Sequence, residues 1–113
     1  MDKIELLRLL AHYLQGYDPD HFAHGCGDNS AWLAAYSREK GIRGVTLRGG
    51  YAQLLPGWPS VRHAWLVVDG QVFDPTWEVL FGRKGRHYRE DEKALRSVLP
   101  LDDDDPLDYP PVP

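Results

Sequence analysis

An Asp-Gly pair at positions 69 and 70 separates Val61–Val68 from Gln71–Phe73, two runs rich in β-branched and aromatic residues. Asp-Gly accepts positive φ at both central turn positions, so it specifies a two-residue type I′ hairpin and, with it, a register. Val68 then faces Gln71, Trp65 faces Asp74 and His63 faces Thr76. Side chains alternate along a strand, which puts His63, Trp65, Val67, Val72, Asp74 and Thr76 on one sheet face. His63 and Asp74 are diagonal neighbours, about 7 Å apart between backbones and within reach of their side chains. A carboxylate in that position holds an imidazole in one tautomer and stabilises its charged form. An Asp on a buried sheet face needs a partner, and His63 is the nearest.

Other elements are read around this hairpin. From Asp2 to Gln15, Ile4, Leu7, Leu10, Ala11 and Leu14 recur at helical spacing, and Asp2 with Glu5 resembles a capping box. Gly16 to Asp20 breaks that helix, and His21 to Gly27 is a polar approach to a second one over Cys26 to Lys40. Ala31, Trp32, Leu33, Ala34, Ala35 and Tyr36 make the second helix apolar around much of its girth, which predicts a central, buried helix with Trp32 in the core. Gly41 stops it. Ile42 to Tyr51 reads as a strand loosened by Gly49-Gly50, and Leu54 to Ser60 as a loop. Gly82 to Arg89 reads as a basic loop and Glu90 to Leu99 as a short helix.

Cys26, at the start of the central helix, completes a chemical set. Unpaired backbone N–H groups and the helix macrodipole favour a thiolate there and offer donors to an oxyanion. Gly25 and Gly27 leave room for a substrate carbonyl. A helix-start Cys, a strand His and a next-strand Asp are a nucleophile, a base and an orienter. The Cys26 N–H is one oxyanion donor; the second is open, with Gln15 on the first helix a side chain of the right type.

Gly-Cys-Gly-Asp-Asn-Ser-Ala-Trp-Leu (25–33), Arg-Glu-Lys-Gly-Ile-Arg-Gly-Val (38–45), Gly-Gly-Tyr-Ala (49–52) and His-Ala-Trp-Leu-Val-Val-Asp-Gly-Gln-Val-Phe-Asp-Pro-Thr (63–76) resemble the transglutaminase-like branch of the papain-like cysteine enzymes. The resemblance spans about residues 25–77, in the order Cys, His, Asp. It implies an α+β, papain-like core with a central helix packed on an antiparallel sheet. By resemblance, Cys26 is the nucleophile, His63 the general base and Asp74 the orienting carboxylate of a cysteine-dependent hydrolase, protease or acyltransferase. Such a triad serves proteolysis, deamidation, amide hydrolysis and acyl transfer on a peptide, protein or small amide, without a cofactor. The chain lacks the large flanking segments that usually build the family's substrate groove, so a protein partner is one way to complete it. The competing reading is a non-catalytic module of the same fold that recognises a peptide or protein.

Neighbouring residues have blander roles beside sharper ones. Trp65 shields the site from water or meets substrate, Trp58 between two prolines is a substrate-contacting aromatic or a loop anchor, and His24 lines the site or is exposed. His21, His24, Cys26 and Asp28 are zinc-ligand types, but their spacing is not that of a tetrahedral site, so no metal is expected.

Composition narrows the class. The chain has 113 residues, one Cys, 13 Lys plus Arg and 17 Asp plus Glu. Five of the acids fall in the Pro-rich segment 101–113, which is expected to be disordered, leaving 12 acidic side chains against 13 basic ones over residues 1–100. That near-neutral body, read as one domain, gives no basis for nucleic-acid binding. The basic residues Arg83, Lys84, Arg86 and Arg89 are offset by Glu90, Asp91 and Glu92. One Cys makes no internal disulfide, and no apolar run approaches the roughly 20 residues of a membrane span. A cytoplasmic protein without membrane contact is expected.

Overall fold

A computed structural model describes residues 2–99, so the acidic segment 101–113 lies outside the described residues. The hairpin forms in the expected register: β2 (Val61–Val68) pairs with β3 (Gln71–Phe73) through Val68–Gln71, Val67–Val72 and Leu66–Phe73. Asp69 and Gly70 sit at φ 50° and 82°, both positive as a type I′ turn requires. β3 ends sooner than counting by twos implies. Asp74 caps α4 (Pro75–Phe81), its Oδ1 accepting from the Trp77 N–H at 3.0 Å, because Asp followed by Pro at the first helical position starts a helix. Thr76 therefore lies on a helix and not on the sheet face.

β1 (Val45–Gln53) pairs antiparallel with β2 and also with β4 (His87–Glu90), giving the order β3-β2-β1-β4. The segment expected as a basic loop thus contributes an edge strand. β1 runs straight through Gly49-Gly50, which are sites of close approach: a Cβ on Gly49 would meet Leu95 at 2.5 Å, and one on Gly50 would meet the Arg89 carbonyl. The glycines let another element lie against the strand.

Helices cover one face of this sheet. α1 (Lys3–Tyr17) begins as expected, with Asp2 Oδ1 accepting from the Glu5 N–H at 2.8 Å. The polar approach after it is a short helix, α2 (Pro19–His24), capped by Asp18. α3 (Cys26–Glu39) ends in a Schellman motif, with Gly41 N–H on the Arg38 carbonyl and Ile42 N–H on the Ser37 carbonyl. With α5 (Glu92–Val98), these helices bury Leu7, Ala11, Phe22, Leu33, Ala34 and Leu95 against Val45, Leu47, Ala64, Leu66, Val68 and Phe73. α3 packs through Gly27, Ser30, Ala31 and Ala34, a face of small side chains at helical spacing. Trp32 projects away from that face, 41% exposed and stacked on Tyr36, contrary to its expected core position.

The opposite sheet face carries Trp65, Val67 and Val72, covered by Trp77, Tyr88 and Leu54–Leu55. The result is an α+β fold with an antiparallel sheet covered on both sides. No helix among the described residues is long and apolar enough to cross a membrane.

Candidate active site

Cys26 is the first residue of α3 and is half-buried. Its helix receives no side-chain cap from Gly25, so the first-turn N–H groups keep their donors available. The two flanking glycines are needed by the chain itself. A Cβ on Gly25 would meet the His21 carbonyl at 2.8 Å, and one on Gly27 would strike the Val98 carbonyl and lie 3.3 Å from Leu99. The room expected for a substrate at these Cβ positions is filled by α2 and by the end of α5.

His63 projects from the second sheet face, where Trp77 lies flat against its ring at a centroid distance of 3.9 Å and 18°. Its Nε2 is 2.7 Å from Asp74 Oδ2, with side-chain exposures of 3% and 0%. Burial pulls the imidazole toward its neutral form. The Asp74 hydrogen bond, then the Cys26 hydrogen bond and the charges of both partners, outweigh burial and raise its pKa from 6.5 to about 9. His63 therefore carries its proton at neutral pH. With Nε2 committed to Asp74, Nδ1 is the ring nitrogen left for Cys26.

Asp74 is held from several directions. Oδ1 accepts from the Trp77 N–H, while Oδ2 accepts from His63 and from Tyr88 Oη at 2.8 Å. The Tyr88 oxygen in turn accepts from the Gly85 N–H at 2.6 Å. Burial, then the Asp74 charge, pushes the Tyr88 phenol far up, so it remains a neutral donor. Glu78 Oε2 accepts from the Asp74 N–H, and its Oε1 pairs with Arg8 of α1. Asn29, one turn along α3 from Cys26, donates to the Phe22 carbonyl and to Thr76 Oγ1, tying the Cys26 helix to the first turn of α4.

The sequence-nominated residues divide into two groups. Cys26, His63 and Asp74 come together. Trp65 is buried at 1% exposure, its ring against His63 and edge-on to Tyr88, so it packs behind the imidazole and offers no face to a ligand. Trp58 is 54% exposed in the β1–β2 loop, and no hydrogen bond or ring contact joins it to the three among the described residues. His24 is exposed and turns back to the Asp20 carbonyl. Of the other zinc-type residues, His21 Nε2 lies 3.0 Å from Asp28 Oδ2. Among the described residues, no three His, Cys, Asp or Glu side chains gather as a metal site.

No protein-family model, curated protein or solved structure matches the chain.

Three contributors escaped the sequence reading. Trp77 and Asn29 carried local signals: an Asp-Pro helix start puts Trp77 at the third helical position, and a polar Asn in a small-residue helix face has to find partners. Tyr88 carried none, because its approach depends on β4 pairing with β1.

Proposed function

We propose that the protein is a cysteine-dependent amide hydrolase of papain-like, transglutaminase-like architecture. One observation carries the reading: a buried Asp74–His63 pair holds a protonated imidazole against Cys26 at a helix start. A structural histidine needs neither the thiol nor the buried carboxylate. The cytoplasm suits a nucleophile that must stay reduced.

The protonated His63 alters the order of events expected for a simple base. Cys26 Sγ, as the thiolate of an ion pair, attacks the amide carbon, while the Cys26 N–H faces the developing oxyanion. His63 Nδ1 gives its proton to the departing amine as the C–N bond breaks, leaving a thioester. The neutral imidazole then takes a proton from water as water attacks that thioester; the C–S bond breaks and the resting ion pair returns. Asp74 holds the ring through both steps. The substrate is an amide of a peptide, a protein side chain or a small molecule.

Alkylation of Cys26 by iodoacetamide tests the reading. The expected rate between pH 6 and 7 exceeds that of a free thiol, which is mostly protonated below its ordinary pKa of about 8.5. His63→Ala is expected to return the rate to the free-thiol curve. A wild-type profile that already follows that curve overturns the proposal.

A further inference from the structure

The loop between α4 and β4, residues 82–86, carries Arg83, Lys84 and Arg86, all exposed. Its backbone is fixed: the Gly85 N–H donates to Tyr88 Oη at 2.6 Å and the Arg86 N–H to the Gln53 carbonyl at 2.7 Å. Three cations are thus presented from a held base, and none of them makes an ion pair among the described residues.

The acids that follow in sequence are placed elsewhere. Glu90 pairs with Arg48 at 2.9 Å and Glu92 with Arg96 at 3.3 Å. Asp91 keeps its charge but lies past the far end of β4, about 16 Å from Arg86 along an extended strand. That exceeds the screening length of roughly 10 Å in about 0.1 M salt. Glu78, one turn before the loop, is paired with Arg8.

The described chain ends on the same side of the sheet as this loop. β4 runs away from the loop, the Asp91 N–H joins the Gly49 carbonyl, and α5 returns over β1 and β2, with Leu95 on Gly49 and Ser97 beside Arg62. Leu99 therefore lies where β2 starts and β1 finishes, the end at which Arg86 holds Gln53. Asp102 to Asp105 follow three to six residues later, with no Lys or Arg among residues 100–113. At roughly 3.5 Å per residue that is about 10–20 Å of extended chain, the scale needed to round the sheet end from its helical face to the loop.

We propose that Asp102–Asp105 dock on Arg83, Lys84 and Arg86 of the same chain. Four consecutive carboxylates meet three cations, and an Arg fork takes a carboxylate in two parallel hydrogen bonds. Exposed ion pairs are individually weak, so the tether matters: it keeps the segment at an effective concentration of about a millimolar or more. The loop so occupied is the one whose Gly85 N–H aims Tyr88 at Asp74, yet the contact does not depend on Cys26 being a nucleophile.

A nitroxide on Leu107→Cys tests the contact by NMR, in the full chain carrying Cys26→Ala so that the label has one site. In about 20 mM NaCl the amides of residues 83–86 are expected to lose intensity about twofold or more. Those of Asp69 and Gly70, at the opposite end of the sheet, are expected to keep theirs. About 0.5 M NaCl is expected to restore the loop signals, and so is the combination of Arg83→Gln, Lys84→Gln and Arg86→Gln. Undiminished loop signals, equal broadening in both places, or loop broadening that survives salt or the triple substitution overturns the proposal. Loop broadening that arises between nitroxide-carrying chains and separate isotope-labelled chains gives the contact to a second copy and overturns it as well.

Discussion

His63 Nε2 and Asp74 Oδ2 lie 2.7 Å apart with almost no access to water, their side chains 3% and 0% exposed. A pair buried this deeply depends on each member having the other, since removing one leaves an uncompensated group in a low-dielectric site. Asp74→Asn keeps an oxygen to cap α4, removes the charge and puts an NH2 donor where Oδ2 accepts from His63 and Tyr88. Burial is then opposed by less, so His63 is expected to lose its raised pKa and become neutral at pH 7, and the fold to lose about 1–3 kcal/mol. NMR titration of the imidazole and urea denaturation read the two effects. An imidazole still protonated at pH 7 in the variant contradicts this account of the pair.

The same proton makes stability depend on pH. His63 is raised from 6.5 to about 9, so the native protein holds that proton more tightly than the unfolded chain does. Its contribution is complete below the unfolded value and disappears as pH rises through the folded one. A shift of this size corresponds to roughly 3 kcal/mol. The urea midpoint is expected to fall between pH 6.5 and 9 in the wild type and to change much less in His63→Gln. Parallel profiles for the two proteins count against the assignment.

The parts readable from sequence were those decided locally. Asp69-Gly70 dictates a turn by its own φ preferences, and through the turn it places His63, Trp65, Val67 and Val72 on one face. Asp2 and Gly41 likewise act within a few residues. Counting by twos pairs Asp74 with the right partner although the count runs past the end of β3 at Phe73, and the diagonal reach survives because a helix cap at a strand end occupies nearly the same place. What depends on distant segments was not readable. β4 consists of His, Tyr, Arg and Glu, a polar run with no strand signature, and it becomes a strand by pairing with Gly50–Gln53. Trp32 was misjudged because apolarity suggested burial, whereas close helix–sheet packing selected the small face of α3.

Two helical glycines are expected to respond in opposite ways to alanine. Gly16, exposed in α1, has nothing within 4 Å of the added Cβ. Gly16→Ala is therefore expected to stabilise by about 0.5–1 kcal/mol through lower backbone entropy in the unfolded chain. At Gly27 the new Cβ strikes the Val98 carbonyl, backbone that has to move. Gly27→Ala is expected to cost about 1–3 kcal/mol, as overpacking does. Thermal unfolding of both variants decides it, and equal tolerance refutes the close contact between α3 and α5.

Ser30 presents a different kind of test. Its side chain is fully buried one turn beyond Cys26, and Oγ has no hydrogen-bond partner among the described residues. A buried hydroxyl without a partner costs free energy relative to a methyl group of similar shape. Ser30→Ala is expected to leave stability unchanged or raise it by up to about 1 kcal/mol. A loss beyond 1 kcal/mol in urea denaturation, on the order of one good hydrogen bond, refutes the lone hydroxyl.

Tyr88 positions Asp74 from the edge strand. Its hydroxyl donates to the same Oδ2 that accepts from His63, and the Gly85 N–H keeps that hydroxyl aimed. Tyr88→Phe preserves the ring packed edge-on against Trp65 and removes both the bond to the carboxylate and the acceptor of the Gly85 N–H. A hydrogen bond to a buried charge contributes about 1.5–3 kcal/mol, so a loss of that order is expected in urea denaturation. Stability alone does not separate positioning from packing, but the His63 titration does. Without the Tyr88 hydroxyl, Asp74 Oδ2 has one donor fewer and turns more fully to His63, so the imidazole midpoint is expected to move above its wild-type value of about 9. A destabilised variant with an unmoved His63 midpoint makes Tyr88 a packing residue only.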